Sequence, residues 1–96
     1  MAAYVIYTAE VTDPEQYELY KAQAAPTVAA HGGAYIARGG ETDVLEGRSP
    51  EGRTVILEFP SMEAARNWYD SSEYQAARTL RVTAGTASAY IVDGVN

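Results

Sequence analysis

Four stretches of the chain show the alternating side chains, and the β-branched and aromatic residues, that are typical of β-strands. These strands are predicted at residues 3–11, 34–40, 53–59 and 87–95. Residues 42–47 are predicted to continue the second strand beyond its two glycines. The turn-rich residues 48–52 then connect the second and third strands, which predicts a hairpin.

The stretches between the strands carry apolar residues at three- and four-residue steps, the period of an amphipathic helix. The first helix is expected to begin with Asp13 as its cap and to end at the glycine pair 32–33. The second is expected to begin after Ser61, a second capping residue. Residues 70–72 interrupt it, and one of the two serines there is predicted to cap a new helical segment over residues 73–82.

The order of these elements, β-α-β-β-α-β, predicts a ferredoxin-like α+β fold with one antiparallel sheet and both helices on one face. The chain is expected to form a single domain, residues 1–96. The uncovered sheet face is also predicted to be apolar, because Ile6 and Ile56 point away from Val55 and Leu57. Such a face needs a cover, so the sequence predicts a homodimer in which two sheets pack face to face.

Composition and charge exclude several classes of function. The chain has no cysteine, which rules out disulfides, zinc–thiolate sites and iron–sulfur clusters. Its net charge is −6 and its basic residues form no cluster, so neither nucleic acid nor an anionic membrane surface is an expected partner. Residues 1–11 have no basic start and only a short apolar run, unlike a signal peptide or a membrane span. A cytoplasmic protein is the expectation.

Several motifs together resemble a known bacterial family, and they cover nearly the whole chain in order. They are "TDPEQYELY", "GGAYIARGG", "LEG", "VILEFPSMEAARNWYDSSEYQAARTLR" and "VDGV". The family is catalogued as domain of unknown function 1330, and it resembles the dimeric α+β barrel superfamily. The resemblance implies a ferredoxin-like protomer and a barrel formed by two copies, in agreement with the pattern of strands and helices.

The same resemblance implies only a broad range of functions. Relatives in the superfamily include cofactor-independent monooxygenases, muconolactone isomerases, haem-degrading enzymes and stress-responsive barrel proteins. The haem-degrading pattern places a histidine on the second helix, whereas the only histidine here is His31, at the end of the first. No cofactor is therefore expected, and no catalytic residue of a relative transfers to a position in this chain.

Arg38 is the first candidate for chemistry. Strand alternation places it on one sheet face with Ile36, and a matching hairpin register would bring it near Glu58. A partly buried guanidinium there would hold the carboxylate or enolate of a ligand, or it would only pair with Glu58 or Glu46. The adjacent glycine pair 39–40 is predicted to form a β-bulge that bends the strand.

His31 is the default candidate for a general acid or base, because histidine is the side chain that titrates near neutral pH. Glu58 is the second candidate for proton transfer. The alternative for His31 is a structural one, since a histidine in the last turn of a helix interacts favourably with the free carbonyl groups. No metal site is expected, because no cluster of carboxylates accompanies this single histidine.

The chain is rich in aromatic residues, with eight tyrosines, one tryptophan and one phenylalanine. Tyr20, Trp68 and Tyr69 are candidates for the wall of a ligand pocket, where aromatic rings hold planar molecules. Packing in the core or in the dimer interface is the alternative for each of them.

Two functional hypotheses follow. In the first, a homodimeric barrel binds a small aromatic or carboxylated molecule, with Arg38 as its anchor, and catalyses a cofactor-independent reaction such as an oxygenation or an isomerisation. In the second, the protein binds a metabolite or a partner and catalyses nothing. The sequence leaves open which of the two holds.

Overall fold

The computed structural model describes residues 1–95 and contains four strands and three helices. In chain order they are β1 (Ala3–Val11), α1 (Pro14–Ala30), β2 (Ala34–Arg38), β3 (Arg53–Phe59), α2 (Met62–Asp70), α3 (Ser72–Val82) and β4 (Gly85–Asp93). The last strand begins and ends two residues earlier than its sequence pattern predicts.

The strands form one antiparallel sheet in the order β2-β3-β1-β4. With α1 connecting β1 to β2 and the α2–α3 pair connecting β3 to β4, this is the ferredoxin-like arrangement. The predicted fold class is confirmed.

The helices cover one face of the sheet, which we call the helix face. From Ala3 to Ala9 in β1 and from Val55 to Phe59 in β3, every second side chain points to that face and is buried, as the two-residue period of a strand requires. In β3 these residues are Val55, Leu57 and Phe59, each about 1% exposed. On the opposite face, which we call the open face, Ile6 and Ile56 lie directly opposite each other and are only half-buried.

Short polar residues set the helix boundaries. The Asp13 carboxylate accepts a hydrogen bond from the Gln16 amide at 3.2 Å, and the Ser61 hydroxyl accepts one from the Ala64 amide at 3.0 Å. Ser71 separates α2 from α3, because its hydroxyl accepts from the Tyr74 amide at the start of α3. The predicted interruption of the second helix is therefore confirmed, with Ser71 as the new cap.

Residues 39–52 are an exposed loop, so the prediction that residues 42–47 continue β2 is wrong. A strand needs a partner for its backbone groups. The pairing of β2 with β3 ends near the start of β3, where the Gly39 amide donates to the Thr54 carbonyl at 2.8 Å. Any further partner would have to come from residues 48–52, whose proline and glycine do not suit a strand interior.

The irregularity in β2 lies between Tyr35 and Ala37 rather than at the glycine pair 39–40. Tyr35 pairs with Leu57 and Ala37 with Ile56, so Ile36 is an extra residue. One extra residue reverses which face the following side chains take. As a result Arg38, opposite Val55, belongs to the helix face.

No helix within residues 1–95 combines the length and the apolar character needed to cross a bilayer.

Candidate functional site

A groove runs along the helix face of β4, between that strand and the helices α2 and α3. It consists of two adjoining cavities of about 730 Å³ and 390 Å³, which share Tyr69 and Ala89 in their linings. Its depth has a simple cause: Ala87 and Ala89 point to the helix face with only methyl groups. We call this feature the β4 groove.

The larger end of the β4 groove is mostly apolar and aromatic. Trp68 and Tyr69 of α2 form one wall, with their rings 6.2 Å apart in an edge-to-face arrangement. Val5 and Ile91 lie opposite on neighbouring strands. Arg66 also lines this end, and its Nε donates to Asp70 Oδ2 at 3.0 Å.

The smaller end of the groove carries two arginines of α3, Arg78 and Arg81, which stand three residues apart and so on one side of the helix. Both side chains are half-buried, and both Nε atoms lack a hydrogen-bond partner. Within residues 1–95 neither guanidinium forms an ion pair with a carboxylate. A buried cation without a counter-ion is costly, and an anionic ligand would supply the missing charge.

Buried tyrosines lie behind Arg81 in the space between the helices and the sheet. The hydroxyls of Tyr7 and Tyr17 lie 2.7 Å apart, and those of Tyr20 and Tyr74 lie 3.0 Å apart. The Cζ of Arg81 lies 5.8 Å from the ring centre of Tyr7 and 5.9 Å from that of Tyr20. Burial acts to lower the pKa of Arg81, but the neighbouring tyrosines outweigh it and the net pKa is raised, so the guanidinium stays charged.

Burial also raises the pKa of Tyr7 and of Tyr20; the hydrogen bond with Tyr17 adds to the shift of Tyr7, and Tyr74 adds to that of Tyr20. Unfolding releases both side chains to ionise near pH 10, whereas the folded protein keeps them protonated. The free energy of unfolding should therefore fall above about pH 10, by up to about 1.4 kcal/mol per pH unit for each residue. Urea unfolding followed by circular dichroism between pH 9 and 11.5 measures this slope.

A Tyr7→Phe variant isolates one of the two contributions. Its slope above pH 10 should be shallower than that of the wild type by about 1.4 kcal/mol per pH unit. Parallel curves for the two proteins would show that Tyr7 ionises in the folded state.

The candidate Arg38 lies away from the β4 groove, at the far edge of the sheet. Its Cζ lies 4.2 Å from the centre of the Tyr35 ring, on the helix face opposite Val55. In residues 1–95 neither Glu58 nor Glu46 lies within ion-pair distance of it. The hypothesis of an Arg38–Glu58 pair is wrong, because the bulge in β2 moves the arginine to the other face.

Glu58 lies on the open face, opposite Ala34 and Tyr4. The Tyr4 hydroxyl donates to its Oε2 at 3.2 Å, and this hydrogen bond raises the pKa of Tyr4. The carboxylate therefore does not face the β4 groove.

His31 caps the C-terminal end of α1, where its Nδ1 lies 2.9 Å from the Thr27 carbonyl oxygen. This contact agrees with the structural alternative for the residue. His31, Arg38 and Glu58 thus lie at a helix end, on the helix face and on the open face, and they do not converge on one cavity.

The three aromatic candidates separate into two groups. Trp68 and Tyr69 line the β4 groove, as a ligand pocket requires. Tyr20 is 4% exposed and packs beside Tyr17, at a distance of 5.4 Å between ring centres. Tyr20 belongs to the core, as one of the buried tyrosines that lie behind Arg81.

Sequence reasoning missed Arg78 and Arg81, although a signal for them exists. Tyr74 and Ala77 are the buried residues of α3, and positions 78 and 81 continue the same inward stripe at helical spacing. Arginines on the inward side of an amphipathic helix need a special environment, and here that environment is the groove.

Residues 1–95 contain no group of three or more histidine, aspartate or glutamate side chains placed to hold a metal ion. Besides its aromatic, apolar and arginine side chains, the β4 groove is lined by Glu63 at its larger end and by Thr86 at its smaller end.

Fold and groove together define a ferredoxin-like α+β protein with a pocket between its helices and its edge strand. Within that class, residues 2–95 match the family described as Domain of unknown function (DUF1330), and the chain belongs to this family. The family predicted from the sequence motifs is confirmed. No curated protein matches the chain.

Three solved structures illustrate the likeness in fold. RPA0582, a protein of unknown function from Rhodopseudomonas palustris, is 16% identical with a TM-score of 0.76, covering 99% of this chain and 83% of that one. SnoaB, a cofactor-independent oxygenase from Streptomyces nogalater, is 15% identical with a TM-score of 0.62 over 99% of this chain and 93% of its own. A dimeric ferredoxin-like protein of unknown function from Thermobifida fusca is 16% identical with a TM-score of 0.65, covering 98% of this chain and 92% of that one. At these identities the likeness shows the fold alone.

Proposed function

We propose that this protein binds a small aromatic carboxylate, or a planar molecule of equivalent charge, in the β4 groove. The observation that carries the proposal is the pairing of an aromatic wall with two arginines, Arg78 and Arg81, that have no acidic partner within residues 1–95. In the β4 groove, which Arg38 does not line, these two residues would serve as the anchor for the anion.

The geometry suits a ligand with one flat apolar end and one anionic end. A ring packed against Tyr69 would lie over the methyl groups of Ala87 and Ala89, and the larger cavity, about 730 Å³, has the volume for a bicyclic molecule. Tyr69 lines both cavities, so a ligand stacked on it extends toward the arginines. A carboxylate there would accept charge-assisted hydrogen bonds from Arg78 and Arg81.

Binding is better supported than any defined reaction. His31 and Glu58, the two candidates for proton transfer, do not line the β4 groove. A non-catalytic metabolite-binding protein accounts for the groove as it stands. SnoaB is a cofactor-independent oxygenase, which makes oxygenation the reaction class to test. If the protein raised the rate of oxygen uptake by a naphthalene-1,4-diol above the rate of its autoxidation, the protein would be a catalyst as well as a binding protein.

Calorimetric titration with 1-naphthoate tests the proposed site. The wild-type protein should bind it with saturation, and Arg81→Gln should weaken the affinity about tenfold, since one charge-assisted contact contributes about 1.4 kcal/mol or more. The double variant Arg78→Gln/Arg81→Gln should lose about a hundredfold. Arg48→Gln, in the exposed loop, removes the same charge away from the groove and should leave the affinity within about twofold.

Three results would contradict the assignment. If the double variant bound 1-naphthoate as tightly as the wild type, the carboxylate would bind elsewhere. If naphthalene, which has no carboxylate, bound as tightly as 1-naphthoate, the arginines would have no role in binding. If Arg48→Gln lost as much affinity as Arg81→Gln, the loss would come from the lower positive charge of the whole protein and not from a contact in the groove.

We propose further that two copies of this chain pair through their open faces. Ile6 and Ile56 lie at the centre of this face, and Tyr90 and Val92 of β4 extend it with 60% and 42% of their surfaces exposed. Apolar side chains in one continuous patch favour a covered state. The solved Thermobifida fusca protein of the same fold is described as dimeric, which supports this arrangement.

A further inference from the structure

A second, basic cleft lies on the other side of the molecule, between α1 and the β2–β3 edge of the sheet. Lys21, Arg38 and Arg53 line it together with Glu18, around a space of about 450 Å³. We propose that this α1–β2 cleft is a binding site for an oxyanion, such as the phosphate or carboxylate group of a small molecule. It shares no lining residue with the β4 groove, so this proposal does not depend on the function proposed there.

The charge of the cleft runs against that of the whole chain. The net charge is −6, yet three of the seven lysines and arginines meet in this one place. Glu18 is the only acidic residue that lines it, and its carboxylate already pairs with Lys21 Nζ at 2.9 Å. Arg38 and Arg53 have no carboxylate within ion-pair distance in residues 1–95, which leaves an excess of positive charge facing the cleft.

Aromatic rings hold both guanidiniums in place. The Cζ of Arg38 lies 4.2 Å from the ring centre of Tyr35, and the Cζ of Arg53 lies 5.1 Å from that of Tyr17. Stacking on a ring restricts the rotation of an arginine while its N–H groups remain free to donate. A fork that is already oriented loses less entropy when it binds an oxyanion.

Arg53 is the better defined of the two arginines. Its Nε is buried and has no hydrogen-bond partner, so a donor is left unsatisfied inside the protein. Structures tolerate such a donor at a cost, and an oxyanion bound by the same guanidinium would offset part of that cost.

The backbone at Gly39 is shaped around the Arg53 guanidinium. A Cβ at position 39 would lie 2.5 Å from Nη2 of Arg53, closer than van der Waals contact allows. Gly39 also has φ of 72°, a left-handed conformation that glycine adopts readily. The neighbouring Gly40 has open space where a Cβ would be, so the restriction applies to one glycine of the pair. A side chain at position 39 would therefore displace the guanidinium from the cleft.

The wall opposite the arginines explains why a compact anion fits. Ala22 and Ala25 of α1 line the cleft with methyl groups, so no large side chain fills the space in front of the guanidiniums. Phosphate and carboxylate both match the planar fork of arginine, and the cleft offers two such forks beside the Lys21–Glu18 pair.

NMR titration of the full chain with inorganic phosphate and, separately, with acetate tests the site. Sodium chloride at equal ionic strength provides the baseline. We expect saturable shifts centred on the amides of Gly39, Arg53 and Ala22. Tighter binding of phosphate would assign a phosphoryl ligand, and equal or tighter binding of acetate would assign a carboxylate. The absence of saturable shifts with both anions would overturn the proposal.

Variants locate the effect. Arg53→Gln and Arg38→Gln should each weaken the tighter-binding anion about tenfold, whereas Arg48→Gln in the exposed loop should stay within about twofold. Arg53→Lys keeps the charge but not the planar fork, so its affinity for the anion should lie between those of Arg53→Gln and the wild type. Equal affinity in Arg53→Gln and the wild type, with both folded by circular dichroism, would overturn the site.

The glycine pair supplies a second, independent comparison. Gly39→Ala should weaken anion binding about as much as Arg53→Gln, because its methyl group displaces the guanidinium. Gly40→Ala, one residue away, should bind the anion like the wild type. Equal binding by the two alanine variants would contradict the role of Gly39.

Discussion

Replacing Trp68 by alanine is expected to lower the free energy of unfolding by about 3–5 kcal/mol. Trp68 is 3% exposed and joins three parts of the core. Its ring lies 5.3 Å from that of Phe59 in β3 and 4.2 Å from that of Tyr74 in α3. Removing the indole would leave a cavity where the sheet, α2 and α3 meet. Urea unfolding at fixed protein concentration measures the loss.

Part of this loss comes from a buried hydrogen bond. The Trp68 Nε1 donates to Thr27 Oγ1 at 3.0 Å, and that hydroxyl donates to the Ala24 carbonyl at 2.6 Å. Thr27→Val keeps the shape but leaves the indole N–H without a partner, which should cost about 1–3 kcal/mol. In the Trp68→Phe background the same Thr27 substitution should cost less, since no indole donor remains.

Met62→Ala is the matched control for Trp68, because Met62 also lines the β4 groove but is 40% exposed. Its free energy of unfolding should remain within about 0.5 kcal/mol of the wild type. If Trp68→Ala were no more destabilising than Met62→Ala, the indole would not be part of the core. Retention of naphthoate binding by Met62→Ala with loss in Trp68→Ala would place the aromatic wall at Trp68.

Much of the fold could be predicted from the sequence because its determinants are local. The alternation of Val55, Leu57 and Phe59 within β3 follows from the two-residue period, and the structure buries all three. Capping by Asp13 and Ser61 depends on the few residues that follow each of them, so the helix starts could also be predicted.

The position of Arg38 could not be predicted, because it depends on pairing between strands. A single extra residue, Ile36, reverses the faces of everything after it in β2, and nothing in the local sequence marks that position. The glycine pair 39–40 looked like the natural place for a bulge. In the structure one of these glycines instead makes room for Arg53, a contact between residues 14 positions apart that only the folded sheet creates.

The β4 groove has the same kind of origin. Nothing in the sequence around Ala87 and Ala89 indicates a pocket. Their small side chains leave space for the groove only because β4 lies at the sheet edge beside Tyr69. Arg78 and Arg81 could have been noticed from their helical spacing. The groove that they line, however, also needs β4, a strand that follows α3 in the chain. Candidate sites that form between elements therefore need the fold before they can be assigned.

Replacing Ile56 by lysine is expected to raise the dissociation constant of the proposed dimer about ten-thousandfold or more. Ile56 lies opposite Ile6 at the centre of the open face. A two-fold pairing of these faces would bury two lysines together, and each buried charge without a partner costs about 3–5 kcal/mol. Sedimentation velocity over a range of protein concentrations measures the shift from dimer to monomer.

The protomer itself should survive this change, because Ile56 points away from the helices and is only half-buried without a partner chain. Leu19→Lys is the matched control, since Leu19 is an apolar residue of α1 with 58% of its surface exposed and lies on the other side of the sheet. It adds the same charge and should leave the dimer intact. A wild-type protein that stays monomeric at high concentration, or a dimer that Leu19→Lys and Ile56→Lys weaken equally, would show that the open face is not the interface. If only Ile56→Lys dissociates the dimer, the apolar side chains of the open face are explained as the surface by which one copy covers another.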